Sequence, residues 1–322
     1  MRELDDLDAA AMASALITGI LEPGPADERA PGSFYRLPPV PNYFFQRDPQ
    51  VVAGDRVVVS SMATAARERE PLLALTAFES HPALAGGPPP IRLDAEAEPR
   101  PPARHVEGGD VLVAGPEVLM VGLSERTNRR GIEALARQLH QAESDFRHLI
   151  VVEVPAKRSY MHLDTVFTFV DRDLCLAYLP VIAPGGSEAG AVYRVELAAP
   201  RLSYTVCDDV PAALAEVGIE VELIPCGGCD SLIDQQREQW TDGANAFAVA
   251  PRVLLMYGRN LRTTEELRRR GFRVLSGEEV IGGAEVLGHG PTVVTLKDHE
   301  LSRARGGPRC MTMPLERDEP AS

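Results

Sequence analysis

Apolar residues in this chain fall into short runs bounded by turn residues, alternating with longer stretches where they recur every three or four positions. Residues 51–60, 111–123, 149–154, 166–170, 247–256 and 292–296 are rich in Val, Leu and Phe between turn formers and read as β-strands. Residues 4–21, 71–78, 128–143, 210–217 and 263–270 carry apolar positions at helical spacing, with Thr127 and Thr263 as caps. Strands alternating with helices predict an α/β fold rather than a sandwich. Two proline-rich segments, 22–41 and 86–103, exclude continuous helix or central strand and read as connectors or wrapping loops. No short period repeats along the chain, so any internal symmetry has to arise in three dimensions.

The 322 residues suffice for one large domain or two small ones, and 44% hydrophobic with 25% charged residues is the composition of an ordinary globule. The charge changes the picture more. With 47 acidic against 33 basic side chains the net charge is -14, a field that repels nucleic acid and anionic lipid and attracts small cations. The apolar run 9–21 is too short for a membrane span, and residues 1–8 lack the basic start of a signal peptide, so a cytoplasmic protein is expected. Five scattered cysteines do not make a disulfide framework. Cys226 and Cys229 have redox or half-zinc-site spacing, but no second pair completes a tetrahedral set, so a plain loop with two thiols and no metal is expected.

Four segments carry candidate chemistry. Glu107-Gly108-Gly109-Asp110 places two carboxylates at the start of a strand across glycines that allow a tight turn. In Met161-His162-Leu163-Asp164, an extended backbone points His162 and Asp164 to one face, where they can bind a cation and move a proton. Arg305-Gly306-Gly307-Pro308-Arg309-Cys310 ends a tight turn on a cysteine flanked by cations, which favour the nucleophilic thiolate. Asp48 lies directly before Pro49, which holds the local backbone extended. Singly, these segments read equally as an acidic turn, a hydrogen-bonded histidine, an inert thiol and a loop. Together they supply a thiol, an imidazole and several acids, the set for nucleophilic attack on a cationic carbon.

Read in order, the strings PN, FQRDP, EGGDV, SERTN, MHLDTVF, REQWTDGAN, YGRN and RGGPRCMTMP, spread over residues 38–318, resemble the arginine deiminase family. The resemblance implies a pentein fold, a fan of ββαβ units around a pseudo-fivefold axis with the site in its central well. It implies a catalytic domain over 38–318 after a helical and proline-rich segment at 1–37. By the same resemblance Cys310 is the nucleophile, His162 the general acid/base, Asp48 and Asp164 the acids that grip a guanidinium, and Glu107 the acid that orients His162. Asp110 supports that strand edge, Arg67, Arg126 and Arg305 bind the substrate carboxylate, and Asn42 and Phe45 contact substrate.

The implied reaction converts the guanidinium of arginine or a close analogue to a ureido group with release of ammonia, through a covalent thiouronium on cysteine. It needs no metal or organic cofactor. A methylarginine hydrolase, an amidinotransferase and a non-catalytic subunit remain as alternatives. The family carries a long stretch before its PN motif, whereas about forty residues precede Pro41. An incomplete first unit and an open sheet edge are therefore expected, covered by dimerisation or a partner chain near residues 1–40.

Overall fold

The structure, a computed structural model, describes residues 4, 6–22, 34–93, 103–199, 201–297 and 301–317. Three runs expected as single strands are hairpins, because each contains a turn pair that the apolar pattern conceals: Gly54-Asp55, Pro116-Glu117 and Pro251-Arg252. Gly54 takes φ +61° and Arg252 +58°, which lets each chain reverse within two residues. Gln50–Ala53 therefore pairs antiparallel with Arg56–Val59, Val111–Gly115 with Val118–Leu123, and Phe247–Ala250 with Val253–Tyr257.

Each hairpin leads through a helix to a strand parallel to the hairpin's second strand. Glu70–Ser80 is followed by Ile91–Arg92, Arg129–Gln141 by His148–Glu153, and Leu261–Arg269 by a segment ending in Thr292–Leu296. The same plan recurs in Phe167–Phe169, Leu174–Ala177, helix Val210–Ala215 and Glu222–Pro225. The described residues thus contain four ββαβ units, a symmetry invisible in the sequence. Strands at 174–177, 192–196, 203–207, 222–225 and 273–276, and helix Leu232–Trp240, were not predicted. The hairpin of Val192–Glu196 and Ser203–Cys207 departs from the third unit and joins the sheet of the second, giving five strands.

Local chemistry fixes the elements. Helix Ala9–Thr18 starts at Asp8, whose carboxylate accepts from the Ala11 amide, and ends at Gly19 with φ +81°, shorter than the expected 4–21; residue 5 lies outside the described residues. Both proline-rich connectors fall partly at 23–33 and 94–102, also outside them. Asn128, not Thr127, caps helix Arg129–Gln141 by accepting from Gly131. Thr263 lies inside helix Leu261–Arg269 and bonds Glu238 instead of capping.

The interior strand Val118–Leu123, next to the middle strand His148–Glu153, alternates, with Leu119 and Val121 in the core under helix Arg129–Gln141 and Val118 and Met120 in the core on the opposite face. Leu119, Leu135 and Leu149 are fully buried there, each worth roughly 2 kcal/mol in removed apolar surface. No helix among the described residues is long and apolar enough to cross a membrane.

These units matter to function because the segments entering their first strands carry the chemistry: Asp48 before Gln50, residues 107–110 before Val111, His162 and Asp164 before Phe167, and Asn245 before Phe247. The second of these is locked by Gly122, where a Cβ would lie 2.2 Å from Asp110 Oδ1 and 2.9 Å from Leu163 Cβ. Gly122→Ala is expected to destabilise by about 1–3 kcal/mol through overpacking. Gly115→Ala, whose Cβ would meet one side chain at 3.5 Å, should be tolerated. Urea midpoints of the two variants check the contrast.

Candidate active site

The glycines at 108 and 109 are required by space rather than by turning. Neither has positive φ, but a Cβ on Gly108 would sit 2.1 Å from the Arg47 carbonyl, and one on Gly109 2.6 Å from His162 Nδ1. This closeness brings Glu107 under the imidazole. Glu107 Oε2 lies 2.8 Å from His162 Nε2, Oε1 accepts from the Ala63 amide at 3.0 Å, and its own amide donates to Thr127 Oγ1. Asp48 Oδ1 stands 3.8 Å from His162 Nδ1.

His162 is extended, but Leu163–Thr165 form a turn of 3-10 helix, so strand alternation does not align His162 with Asp164 as expected. The turn aims Asp164 towards Cys310, with Oδ2 3.9 Å from Sγ and 2.9 Å from Arg309 Nη1. Asn245 ties the two together, accepting from the Cys310 amide at 3.2 Å and donating to the Asp164 carbonyl at 3.0 Å.

Asp48, Glu107, His162, Asp164 and Cys310 are all buried around one point. Asp48 Oδ1 and Asp164 Oδ1 are buried and accept no hydrogen bond. Asp110 lies just behind, accepting from the Leu163 amide and the Ser124 hydroxyl. Phe45 is buried against Gly306, where a Cβ would lie 2.2 Å from its ring, and Asn42 is half-buried in the turn that precedes it.

The three arginines expected at a substrate carboxylate differ in their commitments. Arg67 gives Nη1 to Asp48 Oδ2 at 2.6 Å and the rest of its fork to Glu70. Arg305, at φ +63°, donates to the Ser159 and Trp240 carbonyls and lies 3.9 Å from the Trp240 ring centroid. Arg126 is held more loosely, 3.9 Å from Glu107 Oε1 and 3.6 Å from Met161 Sδ.

Electrostatics correct one expectation. Burial, with Asp164 and Asp48 adding to it, pushes the Cys310 thiol well above its ordinary range, and Arg309 only partly opposes this because it is engaged by Asp164. The flanking arginines do not make a resting thiolate. For His162, burial favours the neutral ring, but Asp48, the Glu107 hydrogen bond and Asp110 outweigh it and raise the imidazole to about 10. Burial pushes Glu107 up, yet its bond to His162 holds it below the usual carboxylate range. Burial carries Asp110 to about 7 against the donors around it, and burial, with Asp48 adding to it, raises Asp164. Asp48, Glu107 and His162 also offer ligand atoms within 4.8 Å of one another, room for a metal ion. A ring nitrogen that keeps its proton to about pH 10 is a poor ligand, so this triad suits an organic cation better.

Comparison with known proteins places this geometry. The arginine deiminase family profile matches residues 10–317. The chain belongs to the arginine deiminase family. An arginine deiminase from Listeria welshimeri is 40% identical over 284 residues, 88% of this chain and 63% of its own length. One from Bacillus cereus is 38% identical over 290 residues, 89% of this chain and 64% of its own. The chain thus spans slightly less than two thirds of the length of these curated relatives.

Among solved structures, the substrate-bound N-terminal domain of ArgZ, a cyanobacterial arginine dihydrolase, aligns with TM-score 0.52 at 17% identity, over 86% of this chain and 78% of its own. A cysteine variant of DDAH from Pseudomonas aeruginosa complexed with citrulline aligns with TM-score 0.51 at 17% identity, over 86% and 79%. These likenesses show a pentein fold.

Several residues at this site were not singled out in advance: Asn245, Arg47, Glu70 and Trp240. All but Glu70 lie inside the quoted strings, where strand and turn spacing carried no sign of their contacts. Buried Arg47 donates its amide to the Cys310 carbonyl and its Nε to the Arg309 carbonyl, bracing the turn that holds Cys310.

Because His162 rises from 6.5 to about 10 on folding, its contribution to stability is complete below about pH 6.5 and is lost as pH rises through about 10. The difference in unfolding free energy between wild type and His162→Gln should therefore shrink over that window, as measured by urea titration at successive pH values.

Proposed function

We propose that this protein hydrolyses the guanidinium of arginine, or of a close analogue, to a ureido group and ammonia through a covalent intermediate on Cys310. One observation carries the reading. Asp164, with Oδ2 3.9 Å from the Cys310 thiol, and Asp48, with Oδ1 3.8 Å from His162 Nδ1, flank the same space, and each keeps one buried oxygen, its Oδ1, that accepts no hydrogen bond. A buried carboxylate oxygen without a donor is costly, and a planar guanidinium is the cation that can satisfy two carboxylates at once by paired hydrogen bonds.

The resting charges order the steps. With no substrate, Cys310 is a thiol and His162 an imidazolium. Binding a guanidinium between the acids offsets the negative field that holds the thiol neutral, so Cys310 ionises, its proton passing to solvent, and attacks the guanidinium carbon. His162, its Nε2 held by Glu107, donates its Nδ1 proton to the departing nitrogen as the C–N bond breaks, leaving a thiouronium and a neutral imidazole. That imidazole takes a proton from water as the oxygen adds to the same carbon. Collapse breaks the C–S bond, the sulfur leaving with its electron pair and taking up the proton of the added hydroxyl as the thiol, which frees the ureido product. Glu107 keeps the ring oriented through both transfers.

A second reading, a different guanidine substrate, draws on the arginines. Arg67 is taken up by Asp48 and Glu70, and Arg305 by two carbonyls, so Arg126 is the cation with most capacity for a remote carboxylate. Mass-spectrometric assay against arginine, agmatine and methylarginines, watching for ammonia and a ureido product, separates the two.

Cys310→Ser should reduce turnover to background with folding intact. Asp48→Asn and Asp164→Asn should each lower kcat/KM by about 10²- to 5 × 10³-fold, the equivalent of roughly 3–5 kcal/mol for a broken buried ion pair. Losses below tenfold in both would mark the acids as structural.

The pH profile reports His162 directly. Since kcat/KM reflects the free enzyme, it should fall as pH rises through about 10, where the acid is lost. Removing the Glu107 charge in Glu107→Gln should move that limb to lower pH. A limb that stays in place would refute His162 as its source.

A further inference from the structure

One buried acid close to the site takes no part in the steps above. Glu70 opens helix Glu70–Ser80, is fully buried, and meets the side of the Arg67 guanidinium, with Nε 3.0 Å from both Oε1 and Oε2 and Nη2 2.7 Å from Oε2. Burial pushes the Glu70 carboxyl up, Arg67 opposes this, and Asp48 and Glu107 add to it. An acid so placed is costly unless it keeps its cation. Arg67 is in turn held charged by Asp48 and Glu70 against its own burial.

The geometry of the fork gives this pair a use. A guanidinium can grip a carboxylate by two parallel hydrogen bonds along either of two edges, Nε with Nη2 or Nη1 with Nη2, and Nη2 belongs to both. Glu70 occupies Nε and Nη2, so Arg67 has only Nη1 to offer Asp48. That nitrogen goes to Oδ2 at 2.6 Å, while Oδ1, 3.8 Å from His162 Nδ1, accepts nothing. Released from Glu70, Arg67 would take both oxygens of Asp48, because the bidentate pair is the stronger arrangement, and the guanidinium receptor would be filled from within. Charge points the same way. Glu70, Arg67 and Asp48 together leave a surplus negative charge beside His162, whereas Arg67 and Asp48 alone cancel.

We propose that Glu70 is a positioning residue that holds Arg67 to a single oxygen of Asp48 and so keeps the other open for the guanidinium of the substrate. The inference rests on the reading of Asp48 and Asp164 as guanidinium acceptors. Glu70 acts through Arg67 and Asp48 and shares in none of the bond changes.

Two measurements on the full chain test this. The first is calorimetric binding of methylguanidine, a guanidinium without a carboxylate, to the Cys310→Ser parent. Adding Glu70→Gln should weaken that binding by about tenfold or more, since the bidentate partner of one acid is lost. The second is an NMR titration of the His162 ring in ligand-free protein. Asp48 is foremost among the groups that raise this imidazole, ahead of Glu107 and Asp110, and the groups around Glu70 are Arg67, Asp48, Glu107 and Tyr43. With both Asp48 oxygens taken by Arg67, Glu70→Gln should lower the midpoint from about 10 by about one pH unit. The double change Arg67→Met/Glu70→Gln removes the fork together with its restraint, and it carries the test if Glu70→Gln alone does not fold. It should bind methylguanidine at least as tightly as the parent and return the His162 midpoint to about 10 or above, which a structural role for Glu70 does not predict. A parent that does not bind methylguanidine would overturn the receptor reading and this inference with it. A parent that binds would overturn the inference alone if Glu70→Gln leaves either measurement unmoved, or if the double variant binds more weakly than the parent.

Discussion

Asp48, Glu107, Asp110 and Asp164 are buried together, and a low-dielectric interior tolerates such a group of acids only if each finds a proton, a cation or a set of donors. The structure answers differently at each. His162 neutralises Glu107, the Ser124 hydroxyl and Leu163 amide serve an Asp110 that burial already pushes towards protonation, and Arg67 and Arg309 take one oxygen each of Asp48 and Asp164. Two carboxylate oxygens are left over. Those two oxygens keep acceptor capacity that no donor of the structure fills, which is the physical basis for reading the site as a receptor for a cation.

Burial among the same acids explains the state of the Cys310 thiol. A thiol among buried acids resists ionisation, so its two neighbouring arginines do not activate it; they are absorbed by Asp164 and by backbone carbonyls. In the proposed reaction, ionisation of the thiol then waits on a bound cation, a coupling that spares the empty site a permanent thiolate. The raised imidazole pKa has the same source, because the acids that hold the thiol neutral also keep His162 protonated.

Precision comes from the ββαβ repeat. Each unit ends its entering segment at the same place, the start of its first strand, and rigid sheet packing brings those starts together. The glycines at 108, 109, 122, 306 and 307 mark where backbones and side chains approach too closely for a Cβ. Asn245, from the fourth unit, closes the ring by bonding both the Cys310 amide and the Asp164 carbonyl.

The chain's own order of residues determined the α/β class, strands such as Thr292–Leu296, helix Arg129–Gln141 and the cast of Cys310, His162 and the acids, because periodicity and residue chemistry are local properties. It concealed the hairpins, since Gly54-Asp55 and Pro116-Glu117 occupy two positions within long apolar runs, and it concealed Ser203–Cys207, whose exposed strand has no buried face to impose a strong alternation. Only the tertiary structure decided that Arg67 clamps Asp48, that Asn245 bridges nucleophile and acid, and that the thiol beside two arginines is neutral. Those outcomes depend on which charges share a low-dielectric space, and residues as far apart as Asp48 and Cys310 come to share it only once the units have packed.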